Sequence, residues 1–148
     1  MKIQKQKYEH DPENGIHGDC YRTCVAMILD MDRDTVPHFS KMATLNTDGP
    51  SASEYLRQWL KPQNLGLFSV VLNKHNTVEE VLEMLGHIEN DVPCMLIGES
   101  ARYKGVGHVV VVKNGKIIAD PSGSGIIGPS EGYYWVELIC VLNGSLLK

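Results

Sequence analysis

The stretch Gly18-Asp19-Cys20-Tyr21-Arg22-Thr23-Cys24 puts a thiol where the apolar run Cys24-Val25-Ala26-Met27-Ile28-Leu29 begins. Unpaired amide hydrogens and the macrodipole at a helix N-terminus favour a thiolate, and a neighbouring imidazolium favours it further. The thiolate is the nucleophilic form. Attack on an acyl carbon also needs a group that returns a proton to the departing amine, and histidine titrates in the range suited to that exchange. Far downstream, Gly107-His108 opens the run Val109-Val110-Val111-Val112, and Asp120 closes the next apolar segment after Asn114-Gly115. In that order Cys20, His108 and Asp120 predict the nucleophile, base and orienting acid of a cysteine hydrolase.

Whether Asp120 can serve His108 depends on hairpin register. If Lys113-Asn114-Gly115 is a three-residue loop with Gly115 left-handed, Val112 opposes Lys116 and His108 faces Asp120. A two-residue Asn-Gly turn instead pairs His108 with Pro121 and sends Asp120 to the other face of the sheet. The triad therefore requires the longer loop or a bulge.

Positioning these groups falls to a short series of elements. A polar arm precedes a first helix from Cys20 to about Met31, apolar on nearly every side and so buried all round. Arg33 to Phe39 reads as a turn and Asn46 to Pro50 as a loop. Ser51 with Glu54 forms a capping box ahead of a helix presenting Tyr55, Leu56, Trp59 and Leu60, with Pro62 marking its end. Thr77 with Glu80 caps a third helix carrying Val78, Val81, Leu82 and Leu85. Strands are expected at Leu67 to Leu72, Cys94 to Ile97, Gly107 to Val112, Lys116 to Asp120 and Tyr133 to Leu142. The pattern predicts an α+β domain, its cysteine helix packed on a mostly antiparallel sheet.

Length and composition fit one catalytic domain, 1–148, large enough to bury roughly two thirds of its unfolded surface without disulfides or metals. No apolar run approaches the ~20 residues needed to cross a bilayer, and the polar start from Met1 to Glu13 is unlike a signal peptide. Cys24, Cys94 and Cys140 sit in apolar stretches, so reduced thiols are expected. A net charge of -4 with dispersed lysines gives no footprint for nucleic acid and no anchor for a membrane surface. Neither partner is expected. His17, Cys20 and Cys24 lack the second knuckle of a zinc site, and Gly123, Gly125 and Gly128 lack the following helix of a phosphate cradle, so neither metal nor cofactor is expected.

Gly-Asp-Cys opening a helix, Gly-His opening a valine-rich strand and Asp120-Pro121 ending the next resemble the papain-like cysteine peptidase superfamily. Within it the chain is most similar to the compact bacteriocin-processing, double-glycine type. Gly18 to Ala26 followed by Val36-Pro37-His38-Phe39 resembles small proteins of bacterial viruses. The likeness spans Asn14 to Pro121, carried by about a dozen positions. It implies a papain-like fold, a peptide or protein substrate, and a cytoplasmic setting in a bacterial or phage-infected cell. In the superfamily a glutamine six residues before the nucleophile helps bind the oxyanion; Asn14 stands there, with His17 and the Cys20 amide as other donors. The superfamily also implies acyl chemistry without fixing it, since peptidases, deamidases, transglutaminases and acyltransferases share the layout.

Each residue has an ordinary use beside the chemical one. Cys24 belongs to packing, His108 alone would be a satisfied strand histidine, and Asp120 and Asn14 are common turn residues. His38 is expected to pack at a turn, and His75 and His87 to lie on the surface. The rival class is a papain-like binding protein without turnover, for instance a viral sequestering factor. Loops Asn46 to Ser53 and Gly123 to Gly132 are expected to wall the groove.

Overall fold

A computed structural model describes residues 1–87 and 91–142, so the end of the expected 1–148 domain lies outside the described residues. Its helices are α1 (Cys20–Ile28), α2 (Phe39–Leu45), α3 (Ala52–Leu60) and α4 (Val78–Gly86). Its strands are β1 (Leu65–Asn73), β2 (Cys94–Ser100), β3 (Gly107–Lys113), β4 (Lys116–Ala119), β5 (Ile126–Gly128) and β6 (Tyr133–Val141). The strands form one six-stranded sheet in the order β1-β6-β2-β3-β4, with β5 pairing β2, and every pairing is antiparallel. The α+β class is as expected. No helix of the described residues is long and apolar enough to cross a membrane.

The sheet is packed on both faces, which explains why β3 reads as an unbroken valine run rather than an alternation. Val109 and Val111 join Cys24, Val25, Met27, Leu56 and Leu60 in one cluster, under α1 and α3. Val110 and Val112 join Val81, Leu85, Val136 and Tyr134 in the other, under α4. Thr77 and Glu80 make the expected reciprocal capping box. At α3 only half of the expected box exists: Ser51 accepts from the Glu54 amide, while the Glu54 carboxylate turns to Arg57 at 2.7 Å.

Two elements were not anticipated. The residues after Phe39 form α2, started by the His38 ring, whose Nδ1 accepts from the Lys41 amide as a serine or aspartate oxygen would. Beyond Asp120, Ile126–Gly128 adds the short strand β5 to β2. Gly98 on β2 permits that approach, because a Cβ there would lie 2.5 Å from Ile126 Cγ2 and 2.6 Å from the Gly128 carbonyl oxygen. Pro62 does not follow a helix end cleanly but sits inside a 3-10 turn, Lys61–Gln63, that continues α3.

Of the two routes by which Asp120 could serve His108, the β3–β4 hairpin takes the bulge. Lys113 pairs with Lys116, so the connection is the two-residue Asn114-Gly115 turn, with φ of 53° and 74° at its two corners. Such a turn, left-handed at both positions, matches strand twist better than the three-residue loop. Val112 pairs with Ile117, but Val111 pairs with Ala119, and the extra residue Ile118 is a bulge. One inserted residue reverses the facing of everything beyond it. Asp120 thereby moves from the face opposite His108 to the face His108 shares, by a different device from the longer loop.

Candidate active site

Helix α1 presents Cys20 at its first turn and drives Cys24 into the core, where the Cys24 thiol donates to the Val109 carbonyl oxygen at 3.4 Å. That contact fastens the helix to β3, one residue from His108. Cys24 is fully buried, and burial above all, with the charges of Cys20 and Asp120 added, holds its thiol well above the ordinary range. Cys20, one turn earlier, is half-buried at the cleft. The two cysteines divide as expected, one packing and one facing solvent.

Asp19 occupies the N-cap position of α1 without capping it. Its carboxylate is fully buried and accepts from the Tyr8 amide at 2.8 Å and from Arg22 Nε at 3.0 Å. The first-turn amides of α1 are therefore left without a side-chain cap, and the helix mouth stays electropositive toward whatever lies in the cleft. The N-terminal arm that Asp19 holds also donates from the Gln6 amide to the Pro121 carbonyl at 3.0 Å. It thus bridges the residue before Cys20 and the residue after Asp120.

His108 Nε2 donates to Asp120 Oδ1 at 2.6 Å, and Ser122 Oγ lies 3.1 Å from the same nitrogen. With Nε2 engaged, Nδ1 is the ring nitrogen left for another partner, and Cys20 lines the same cleft and favours the charged ring. Burial works against the charged imidazole, yet the Asp120 hydrogen bond and Cys20 outweigh it and raise the ring to about 9. Asp120 shows the converse: burial opposes its charge, but the His108 bond and loop amides hold it down to about 2. Those amides belong to Ser122 and Gly123, at 3.1 and 3.0 Å from Oδ1, and Gly125, at 2.8 Å from Oδ2. A carboxylate in such a ring of donors is fixed in place and ionised.

The groups surround a cleft of about 290 Å³. Ser40 and Thr44 of α2, Ala52 and Ser53 of α3, and Ser122 and Ser124 line it, so parts of both anticipated loop regions reach its walls. The sequence reading missed the rest of the wall: Gln6, Glu9 and His10 of the arm, and Tyr103 and Val106 between β2 and β3. The His10 and Tyr103 rings meet edge to face at 6.3 Å, and Arg102 pairs with Glu9 at 3.4 Å, joining arm to loop across the opening. Ser122 was missed because a serine two residues past an aspartate in a glycine loop reads as an ordinary turn.

The structure brings Cys20, His108 and Asp120 together and does not bring Asn14 to them. Asn14 is exposed at the end of the 3-10 turn Pro12–Asn14, its amide donating to Asp11 Oδ2 at 2.7 Å. His17 does line the cleft, and its carbonyl is bonded to His38 Nε2 at 3.1 Å, so His38 steadies the wall from behind. Among the described residues no group of three His, Cys, Asp or Glu side chains is arranged to hold a metal ion. No family model, curated protein or solved structure matches the chain.

Proposed function

We propose that the chain is a small papain-like cysteine hydrolase or acyl-transferring enzyme that acts on a peptide or amide bond of a peptide or protein substrate. The observation that carries the reading is a single imidazole that is bound by Asp120 at 2.6 Å and lines the same cleft as Cys20, which stands at the mouth of an uncapped helix. A structural histidine has no need of a cysteine partner, an ionised acceptor and an open cleft together. A helix carrying the cysteine, packed on an antiparallel sheet carrying the histidine, is the arrangement that the papain-like resemblance implies.

In this mechanism the Cys20 thiolate attacks the carbonyl carbon, forming the C–S bond while the carbonyl electron pair moves to oxygen. The Cys20 amide at the helix mouth and His17, which lines the cleft, would serve as donors to that oxyanion. Protonated His108 gives its Nδ1 proton to the leaving nitrogen as the C–N bond breaks, leaving a thioester. Water, or an amine in a transfer reaction, then attacks the thioester. His108 takes its proton and the Cys20 sulfur departs. Asp120 keeps its charge throughout and stabilises the imidazolium, since a group held down to about 2 does not take the proton.

Timed alkylation with iodoacetamide at about pH 6.5, where a free thiol is almost wholly protonated, tests the reading. Cys20 is expected to label well ahead of exposed Cys140, and His108→Ala to slow it at least about tenfold. Labelling of Cys140 or Cys24 before Cys20 would falsify the nucleophile assignment.

A further inference from the structure

The two ends of the sheet are built differently. At one end β4 has four residues, carries Lys116 and is interrupted by the Ile118 bulge. Shortness, a lysine and a bulge are among the devices that keep a strand edge from pairing with another chain. At the other end β1 has none of them. Its nine residues, Leu65–Asn73, pair with β6 without a register shift and include no Pro, Lys, Arg, Asp or Glu. Among the described residues no strand pairs with its outer side.

The ladder fixes which groups that outer side offers. Just beyond the paired segment the Leu142 amide donates to the Asn64 carbonyl at 2.9 Å, and an antiparallel ladder alternates, so the even-numbered residues of β1 are bonded to β6. The N–H and C=O groups of Leu65, Leu67, Ser69, Val71 and Asn73 therefore point away from the sheet. Side chains divide by the same parity. Leu65 and Leu67 pack in the cluster under α1 and α3, and Leu72 packs in the cluster under α4. Phe68 and Val70 share the α4 face but are 60% and 37% exposed, since α4 packs on β3, β4 and β5, toward the opposite end of the sheet.

We infer that β1 is the surface through which two copies of this chain join, pairing antiparallel about Ser69 into one continuous sheet. The strand is its own complement in that register. Phe68 meets Val70 of the second copy and Val71 meets its Leu67, so exposed apolar side chains cover one another. The outward residues exchange roughly ten backbone hydrogen bonds, with Ser69 opposite its own duplicate. Any other register leaves strand ends unpaired. A two-fold axis also sets each side chain near its duplicate, where a charge would repel itself. β1 is uncharged throughout, although the chain carries a net charge of -4. Selection of an unlike partner gains from charges that a symmetric pairing must avoid. The inference is independent of the role given to Cys20.

Sedimentation of the full chain over a range of about 5 to 500 µM tests it, with amide hydrogen exchange followed by NMR at both ends of the range. The mass is expected to rise from that of one chain toward that of two, and the Leu67, Ser69 and Val71 amides to exchange at least about tenfold more slowly at the high concentration. Phe68→Lys and Val70→Glu should each weaken association at least about tenfold. An equimolar mixture of the two variants should restore it, because the introduced lysine then faces the introduced glutamate across the new pairing. Both positions are open to solvent, and the parent protein's exchange carries the test should a variant fail to fold. A single-chain mass throughout, a dimer as strong in Phe68→Lys, a mixture that stays monomeric, or a dimer whose outward amides are unprotected overturns the inference. Amide protection in a monomer at every concentration also overturns it, since the edge would then be covered from within one molecule.

Discussion

Replacing Asp120 with Asn keeps the side-chain shape and removes the charge that the His108 ring faces. The ring moves from an ordinary value of 6.5 to about 9, which corresponds to roughly 3 kcal/mol of preference for the imidazolium. Burial acts against that preference, so Asp120 and Cys20 together supply more than the net figure. The Asp120 hydrogen bond ranks ahead of the Cys20 contributions, and the loss of its charge alone should lower the ring's midpoint by at least about one pH unit, about 1.4 kcal/mol. A second cost falls on the loop, where the Gly125 amide aimed at Oδ2 from 2.8 Å would meet either an amide NH2 group or a less basic oxygen. The assay is a pH titration of the His108 ring by proton–carbon NMR, assigned with His108→Ala, alongside the pH profile of Cys20 alkylation. In the parent protein the ring should titrate near 9, and in Asp120→Asn both the ring and the upper limb of the alkylation profile should move down together. A parent ring titrating near 6.5, or an Asp120→Asn ring unmoved, would refute the electrostatic account of the site.

Stability should follow the same pair. A ring raised to about 9 stabilises the fold fully below 6.5 and loses that contribution as pH rises through 9, while Asp120, lowered to about 2, contributes above 3.8 and loses it as pH falls through 2. The two shifts largely describe one interaction, so the urea midpoint should be highest between about pH 4 and 6.5 and fall toward pH 9.5 by no more than roughly 3 kcal/mol; the decline should vanish in the His108→Ala, Asp120→Ala double variant, and a parent protein flat across that range would contradict it. Gly98→Ala should destabilise by about 1–3 kcal/mol, because its Cβ meets backbone of β5 and cannot be relieved by a rotamer change; an unchanged urea midpoint would show that β5 does not need its close approach to β2.

The approach of Cys20 to the His108–Asp120 pair was legible because the elements bearing Cys20 and His108 have strong signals of their own. A wholly apolar helix and a valine run are hard to place anywhere but the core. Register was less legible. Asn114-Gly115 is a strong two-residue turn signal, and that turn alone would have separated His108 from Asp120. Nothing local in Ile117-Ile118-Ala119 announces a bulge at Ile118, since both isoleucines are half-exposed on an edge strand and either could be the unpaired one. Helix α2 was illegible for a different reason: its cap is a histidine ring, outside the residue types that ordinarily announce a helix start. Asn14 was singled out by its distance in sequence from Cys20, but the 3-10 turn at Pro12–Asn14 takes the chain out to solvent before it returns through His17.

Precision at the site comes from attaching each group to something that cannot easily move. Cys20 is tied through Cys24 to Val109, so the separation of Cys20 and His108 is set by a helix bonded to the very strand that carries His108. Asp120 lies past the end of β4, where a loop would ordinarily leave a carboxylate free to rotate; three backbone amides within the next five residues and the Ser122 hydroxyl close on it instead. That closure depends on β5 folding back against Gly98, which lies opposite His108 in the β2–β3 pairing. The bulge brings the acid to the correct face, and the β5 return holds it there. A bulge alone would bring Asp120 to the face without fixing its angle, and a rigid loop without the bulge would fix it on the wrong side. The two features are therefore complementary, and the short His108 to Asp120 bond is the product of both.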